Sequence, residues 1–276
     1  MFNLAVRGHD MSNVKTPAEL AQRTRKHGVK NLQLALNQSF PQLSSSATMN
    51  PGLGTYFKQE MAREEVQIAL LSCYSNLVHP DAREREKILQ KFENYLFHAR
   101  FFQASMVASE TGSIIPEMGY SEDNFSDEIF IDLISVIRRL VLSGEKVGTL
   151  VGIEGGRNHP LYSNERIQQL LQAIDSEFLG IIYDPTNLIT SETYTDVVTL
   201  VKQAFETFGN KIVCLHLKDF IIEKDKIIPV SLGEGVIPYK EILQIVHSFR
   251  PFCYIVLEET KDEKIARAVN LIKNLN

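Results

Sequence analysis

The stretch Val147–Glu154, VGTLVGIE, is an apolar run that stops on an acid. Three later runs stop in the same way: LGIIYD on Asp184, IVCLH on His216 and YIVLE on Glu258. The steps between these four polar residues are 30, 32 and 42 residues. One strand, one helix and two loops fill such a step. The four side chains are therefore expected at equivalent ends of consecutive strands, where a parallel barrel would bring them together.

The same pattern extends to the rest of the chain. Strands are expected at Phe2–Arg7, Lys30–Leu36, Val66–Ser72, Phe102–Ala108, Val147–Ile153, Leu179–Tyr183, Ile212–Leu217 and Tyr254–Leu257. Helical patterns lie between them. The first is framed by Thr16 as cap, Pro17 at the first helical position, Glu19 to complete a capping box and Gly28 as the stop. Asp81–Arg100 carries an apolar stripe at Ile88, Leu89, Phe92 and Leu96. Glu128–Leu142, Arg166–Ile174, Asp196–Phe208, Tyr239–Phe249 and Glu263–Leu275 continue the alternation. The fold class is α/β, and eight strands alternating with helices predict a (β/α)8 TIM barrel in one domain over residues 1–276. A doubly wound open sheet is the alternative, but no Gly-rich phosphate loop follows the first strand. Asn37–Gly54, NQSFPQLSSSATMNPGLG, exceeds an ordinary βα loop. It reads either as a mobile lid on the catalytic face or as a tolerated surface insertion.

Bulk composition narrows the function class. Hydrophobic content of 44% and charged content of 23% are ordinary for a soluble globular protein. A net charge of −5 argues against a dedicated nucleic-acid surface. Cys73, Cys214 and Cys253 are odd in number and lie in or beside apolar runs, the pattern of reduced, buried thiols. Residues 2–10 have neither the charged region nor the apolar region of a signal peptide, and no run reaches the ~18 residues of a membrane span. A cytoplasmic location and no membrane partner are the expectations.

Two glutamates, an aspartate and an imidazole make an oxygen-rich set with three negative charges. It suits Mn²⁺, Mg²⁺ or Co²⁺, with Zn²⁺ also compatible. Four protein ligands on an octahedral ion leave about two positions, enough for adjacent oxygens of an α-hydroxy ketone. A glutamate near the substrate carbon can remove a proton and another can return it. Singly, each acid also reads as a cap or salt-bridge partner, and His216 as a satisfied near-core histidine; the joint placement favours a metal site.

The chain resembles the xylose isomerase-like TIM-barrel superfamily, in its sugar-phosphate isomerase/epimerase group. The segments that carry the resemblance are GIEGGRNHP (Gly152–Pro160), YDPTN (Tyr183–Asn187), HLKD (His216–Asp219), LGEG (Leu232–Gly235) and VLEE (Val256–Glu259). RGHD (Arg7–Asp10) and NLVHPD (Asn76–Asp81) add to them. The resemblance implies that Glu154, Asp184, His216 and Glu258 bind one divalent metal and that Glu154 and Glu258 are also the catalytic acid/base pair. It implies an isomerase or epimerase acting on a sugar, sugar phosphate or cyclic polyol, through proton abstraction beside a metal-polarised carbonyl and an enediolate. A dehydratase of the inosose or dehydroshikimate type would use the same site. Endonuclease IV-like DNA repair and a non-catalytic sugar-binding barrel are remoter readings. The expected partner is a small sugar or polyol, with homo-oligomers compatible.

Several epimerases have histidine three residues past the metal aspartate, whereas this chain has Asn187, which hydrogen-bonds but carries no charge. The other candidate substrate-binding residues are His9, Arg157, His159 and Lys218. Arg157 suits a phosphate or carboxylate, or else is a solvated loop arginine. Lys218 shares a strand face with His216. Glu110 ends the fourth strand and adds polarity, while Asp219 and Glu234 read as structural. His79 reads as a mouth or loop residue. His27, His98 and His247 fall on helices away from the mouth.

Overall fold

In the computed structural model, which describes residues 2–275, eight strands pair in parallel and close on themselves. They are β1 (Asn3–Arg7), β2 (Asn31–Ala35), β3 (Gln67–Ser72), β4 (Met106–Glu110), β5 (Leu150–Glu154), β6 (Leu179–Tyr183), β7 (Ile212–Leu217) and, after a two-stranded hairpin of β8 (Asp219–Glu223) and β9 (Lys226–Val230), β10 (Tyr254–Leu257). The order around the barrel is β1-β10-β7-β6-β5-β4-β3-β2. This is the expected TIM barrel.

Residues two apart on a strand share a face. One face of the strands packs on the helices in a large apolar layer that includes Val6, Leu34, Ile153, Ile181, Leu215 and Ile255. The opposite face fills the barrel with smaller side chains, among them Ala5, Met106, Ala108, Ile182, Cys214 and Val256. Continuing that inner face by two residues brings five of the strands to a polar group at the C-terminal end. Ala108 leads to Glu110, Gly152 to Glu154, Ile182 to Asp184, Cys214 to His216 and Val256 to Glu258. The alternation that packs the barrel therefore also aims the site.

Capping fixes where the helices begin. Thr16 Oγ1 accepts from Glu19 N, while the Glu19 carboxylate accepts from Lys15 N. Asp81 accepts from Arg83 N and Glu84 N, and Ser126 and Ser163 cap in the same way. All three cysteines are free and buried, as their apolar setting predicts. No helix among the described residues is long and apolar enough to cross a membrane.

Two strand starts and two further elements depart most from the sequence expectation. Strand β4 runs Met106–Glu110 rather than Phe102–Ala108, because the preceding helix continues to Phe102 and stops where Gln103 takes a positive φ of 59°. The next helix likewise runs on to Val147, and Gly148 ends it with φ 70°, so β5 begins at Leu150. Helix Pro51–Arg63 was not anticipated; Asn50 caps it by accepting from Leu53 N, with Pro51 at its first turn. Its start lies inside the long Ser/Pro/Gly segment, whose Phe40 and Met49 are buried in the core. The hairpin of β8 and β9 was also not anticipated.

Asp219 ties that hairpin to the barrel. Its buried carboxylate accepts from the backbone N–H groups of Phe220, Gly233, Gly235 and Ile237, at 2.8 to 2.9 Å. This is the structural role the sequence suggested. Gly235 lies so close to the Phe220 carbonyl and the Asp219 carboxylate that any Cβ there would clash. Asp219→Ala would strand several buried donors at about 1–3 kcal/mol each. It is expected to destabilise the protein by at least about 3 kcal/mol, read as a lowered thermal midpoint; an unchanged midpoint would remove the carboxylate from this role.

Candidate metal centre

Glu154, Asp184, His216 and Glu258 converge at the C-terminal ends of β5, β6, β7 and β10. All four are buried, and one ligand-type atom from each lies within 4.8 Å of all the others. His216 Nδ1 is 3.2 Å from Glu154 Oε2 and 3.4 Å from Glu258 Oε1. Among the described residues, neither nitrogen of His216 has a hydrogen-bond partner.

The turn after β6 orients Asp184. Its Oδ1 accepts from the N–H groups of Thr186 and Asn187 in the short 3-10 turn Pro185–Asn187. That leaves Oδ2 facing the cluster, where it meets the Lys218 ammonium at 2.8 Å, off the hydrogen-bonding direction. Lys218 Nζ also donates to Glu258 Oε2 at 2.9 Å. The other Glu258 oxygen accepts from Arg7 Nη1 at 2.9 Å. Arg7 in turn donates to Asp10 through Nε and Nη2, and to Glu259 through Nη2. Glu154 has a milder setting: its Oε1 accepts from the neutral amide of Asn187 at 2.9 Å.

These neighbours sort the charges. Burial alone would raise the Glu258 carboxyl, but Lys218, His216 and Arg7 outweigh it and hold the group well below the usual range. Burial lifts Asp184 to about 6, with Lys218 opposing. Burial pushes the His216 imidazole down, yet the charges of Glu154 and Glu258 lift it well above its ordinary value. Burial, then the charges of Glu154 and Glu258, raise Glu110 to about 7. Among the described residues the His216 nitrogens and Asp184 Oδ2 have no hydrogen-bond partner; converging with oxygens of Glu154 and Glu258, they form a set that suits a divalent cation, and the residues present fit one.

A family model described as xylose isomerase-like TIM barrel matches residues 17–275. The chain belongs to the xylose isomerase-like TIM-barrel family. Among solved structures, a D-tagatose 3-epimerase-like protein is similar over 99% of this chain and 96% of its own, at 18% identity and TM-score 0.78. The probable 3-DHS dehydratase AsbF involved in petrobactin synthesis, from Bacillus anthracis, matches over 99% and 100% of the two chains, at 16% identity and TM-score 0.77. A xylose isomerase-like TIM barrel protein from Mycobacterium smegmatis, in complex with magnesium, matches over 99% and 96%, at 15% identity and TM-score 0.73. At these identities the likeness is one of fold. No curated protein sequence matches the chain.

Within this xylose isomerase-like barrel the remaining candidates take different positions. Lys218 and Asn187 reach the four-residue cluster. His9 follows β1, lines the mouth and stacks edge-on against Tyr74, with ring centroids 5.9 Å apart. Burial, then the nearby Arg7 charge, depress its pKa to about 4, so it is neutral. His159 is half-buried near Glu154, with Nδ1 unpartnered and its pKa lowered by burial. Arg157 is exposed and donates to the Ile189 carbonyl at 2.8 Å, which staples the β5 and β6 loops together. His79 Nδ1 accepts from Asp81 N, a loop contact. Glu234 is exposed and pairs with Lys264.

Sequence reasoning passed over Arg7 and Tyr74. Strand alternation was the available signal for Arg7, two residues past Ala5 on the inner face. Tyr74 lies beyond the end of β3, and nothing in its local pattern marked it.

Metal binding requires a neutral imidazole, so a cation entering the site must displace the proton that Glu154 and Glu258 hold on His216. At pH 7.5 the release of about one proton per ion is expected, with affinity rising as pH rises. Calorimetry of Mn²⁺ binding in buffers of different ionisation enthalpy measures it; binding independent of buffer and pH would contradict the electrostatics. Removing Arg7 leaves Glu258 and Asp10 without their shared cation. Arg7→Ala is therefore expected to cost the metal-free protein about 3–5 kcal/mol. Thermal unfolding in EDTA reads this, and an unshifted midpoint would mean that the pairing contributes nothing.

Proposed function

We propose that this protein is a divalent-metal-dependent isomerase or epimerase acting on a polyhydroxy ketone, a sugar or a cyclic polyol. The observation that carries the reading is the buried convergence of Glu154, Asp184, His216 and Glu258 within 4.8 Å, at the barrel end where TIM-barrel chemistry resides. The four residues would hold the cation, with Mn²⁺, Mg²⁺ or Co²⁺ favoured by three carboxylates and Zn²⁺ also compatible. When bound, such an ion supplies Lewis-acid polarisation of a carbonyl and charge neutralisation for an enediolate.

The protein groups divide the remaining work. Glu154, whose side chain among the described residues accepts a hydrogen bond from the neutral Asn187 amide alone, is the carboxylate suited to take a proton from the carbon beside the carbonyl. Asn187 sets its orientation. Glu258, clamped by Arg7 and Lys218 and ionised at rest, lies across the cluster, and the proton it would return on the opposite side comes from the Lys218 ammonium hydrogen-bonded to its Oε2. Lys218, two residues past His216 on the inner face, offers an ammonium to a substrate oxygen. His159 and His9 line the approach as neutral hydrogen-bonding rings.

Incubating the Mn²⁺-loaded protein with ketoses and inososes in D₂O tests this. Deuterium should enter at the carbon beside the carbonyl, detected by NMR. Glu154→Gln should slow its entry by roughly 10²–10⁴-fold while the protein still folds. An isomer as product supports the proposal, and a dehydrated product would make the enzyme a lyase using the same proton abstraction. Absence of exchange with every ketose, or undiminished exchange in Glu154→Gln, would overturn the reading.

A further inference from the structure

Glu259 follows the cluster residue Glu258 just past the end of β10, and its backbone is left-handed, with φ 49°. Three positions on, Asp262 has φ 47° and ψ −123°. Glycine adopts such conformations freely and asparagine more readily than most, whereas a long side chain resists them. Of the left-handed non-glycine residues among those described, only Glu259 adjoins a member of the cluster. A glutamate kept against its backbone preference beside a site points to a use for its carboxylate.

The conformation aims that carboxylate. Successive residues of an extended strand point to opposite faces, so with Glu258 on the inner face an extended Glu259 would point into the helix layer. The left-handed turn brings it round to the guanidinium that Glu258 already meets. Glu259 Oε1 accepts from Arg7 Nη2 at 2.8 Å, and Glu258 Oε1 accepts from Nη1 at 2.9 Å. Asp10 accepts from Nε at 2.8 Å and from Nη2 at 2.9 Å. Asp10 thus takes one edge of the planar group, while Glu258 and Glu259 share the other.

The main chain of the loop is fastened separately. Ser231 Oγ donates to the Glu259 carbonyl, Thr260 Oγ1 to the Glu258 carbonyl and Asp262 N to the Asp10 carbonyl. None of these contacts uses the Glu259 carboxylate. Its contribution is to Arg7, which it stops from pivoting about Asp10. Glu258 depends on that, because its Oε1 takes its direction from Arg7 Nη1 and lies 3.4 Å from His216 Nδ1.

We propose that Glu259 is a positioning residue of the metal centre: its left-handed backbone lays its carboxylate on Arg7, and the guanidinium so fixed sets the Glu258 oxygen that faces His216. This rests on the metal-dependent reading above and adds a residue that acts on the cluster without joining it.

The test is calorimetric titration with Mn²⁺ of the wild type, Glu259→Gly, Glu259→Asn and Glu259→Gln, together with thermal midpoints in EDTA. Glycine and asparagine suit the left-handed backbone but do not reach Arg7. Glutamine keeps the reach, and its amide oxygen can still accept from Nη2. Glu259→Gly and Glu259→Asn are expected to weaken Mn²⁺ binding about tenfold or more, as loss of a ligand's outer partner does. Their midpoints should stay near the wild type or rise, since the lost ion pair is partly exposed and the backbone is relieved. Glu259→Gln should lose no more than about threefold. A residue that only shapes the turn predicts unchanged Mn²⁺ affinity in Glu259→Gly and Glu259→Asn. That result would overturn the proposal, as would midpoints that fall in step with affinity, or a Glu259→Gln as weakened as Glu259→Gly. A wild type that binds no Mn²⁺ would overturn the metal-dependent function and this inference with it, whereas the other failures leave that function standing.

Discussion

Three carboxylates held against one imidazole inside a protein repel one another, and the rest of the mouth is organised around that repulsion. Glu154, Asp184 and Glu258 are each almost without solvent. Water cannot screen them, so their charge must be met by protein groups or by a bound cation. Arg7 and Lys218 supply two positive charges from opposite sides of Glu258, and the charges of Glu154 and Glu258 favour the protonated form of His216 between them. Asp10 and Glu259 then fix Arg7, so the clamp on one glutamate extends through β1 and the loop after β10.

The barrel makes this arrangement repeatable. Parallel pairing aligns the strand ends, and register places Glu110 beside Glu154 and Val256 beside His216. Because side chains alternate at every residue, slipping a strand by one position would exchange its ligand for an apolar neighbour. The inner apolar residues below the site, such as Ala108, Ile182 and Val256, therefore act as its floor and as the device that sets its register.

The parts of the molecule legible in the sequence were those written in short periods. Apolar runs ending on Glu154, Asp184, His216 and Glu258 gave both the barrel and the four-residue cluster, because strand and site share one alternation. Strand β4 was misplaced because FFQASMVA is apolar under either period, and only Gln103 in a left-handed conformation divides helix from strand. The β8–β9 hairpin was hidden behind the HLKD segment, since Lys218 and Asp219 sit side by side yet serve a site and a scaffold. Arg7 was overlooked for a different reason. Alternation puts it on the inner face, but Glu258 and Glu259, the partners that join it to the site, lie about 250 positions away, and no local pattern signals a pairing of that kind.

Asn187 shows how one position can change the balance of such a site. It accepts no charge and yet holds Glu154 in place, while its own backbone N–H orients Asp184. A cationic ring there would place a further positive charge beside Glu154 and make that carboxylate a weaker base. With a neutral amide, the positive charge of the protein gathers on the Glu258 side instead. The two glutamates thus differ in electrostatic setting although the barrel places them in equivalent positions. That asymmetry arises from Asn187, Lys218 and Arg7 rather than from the four converging residues themselves.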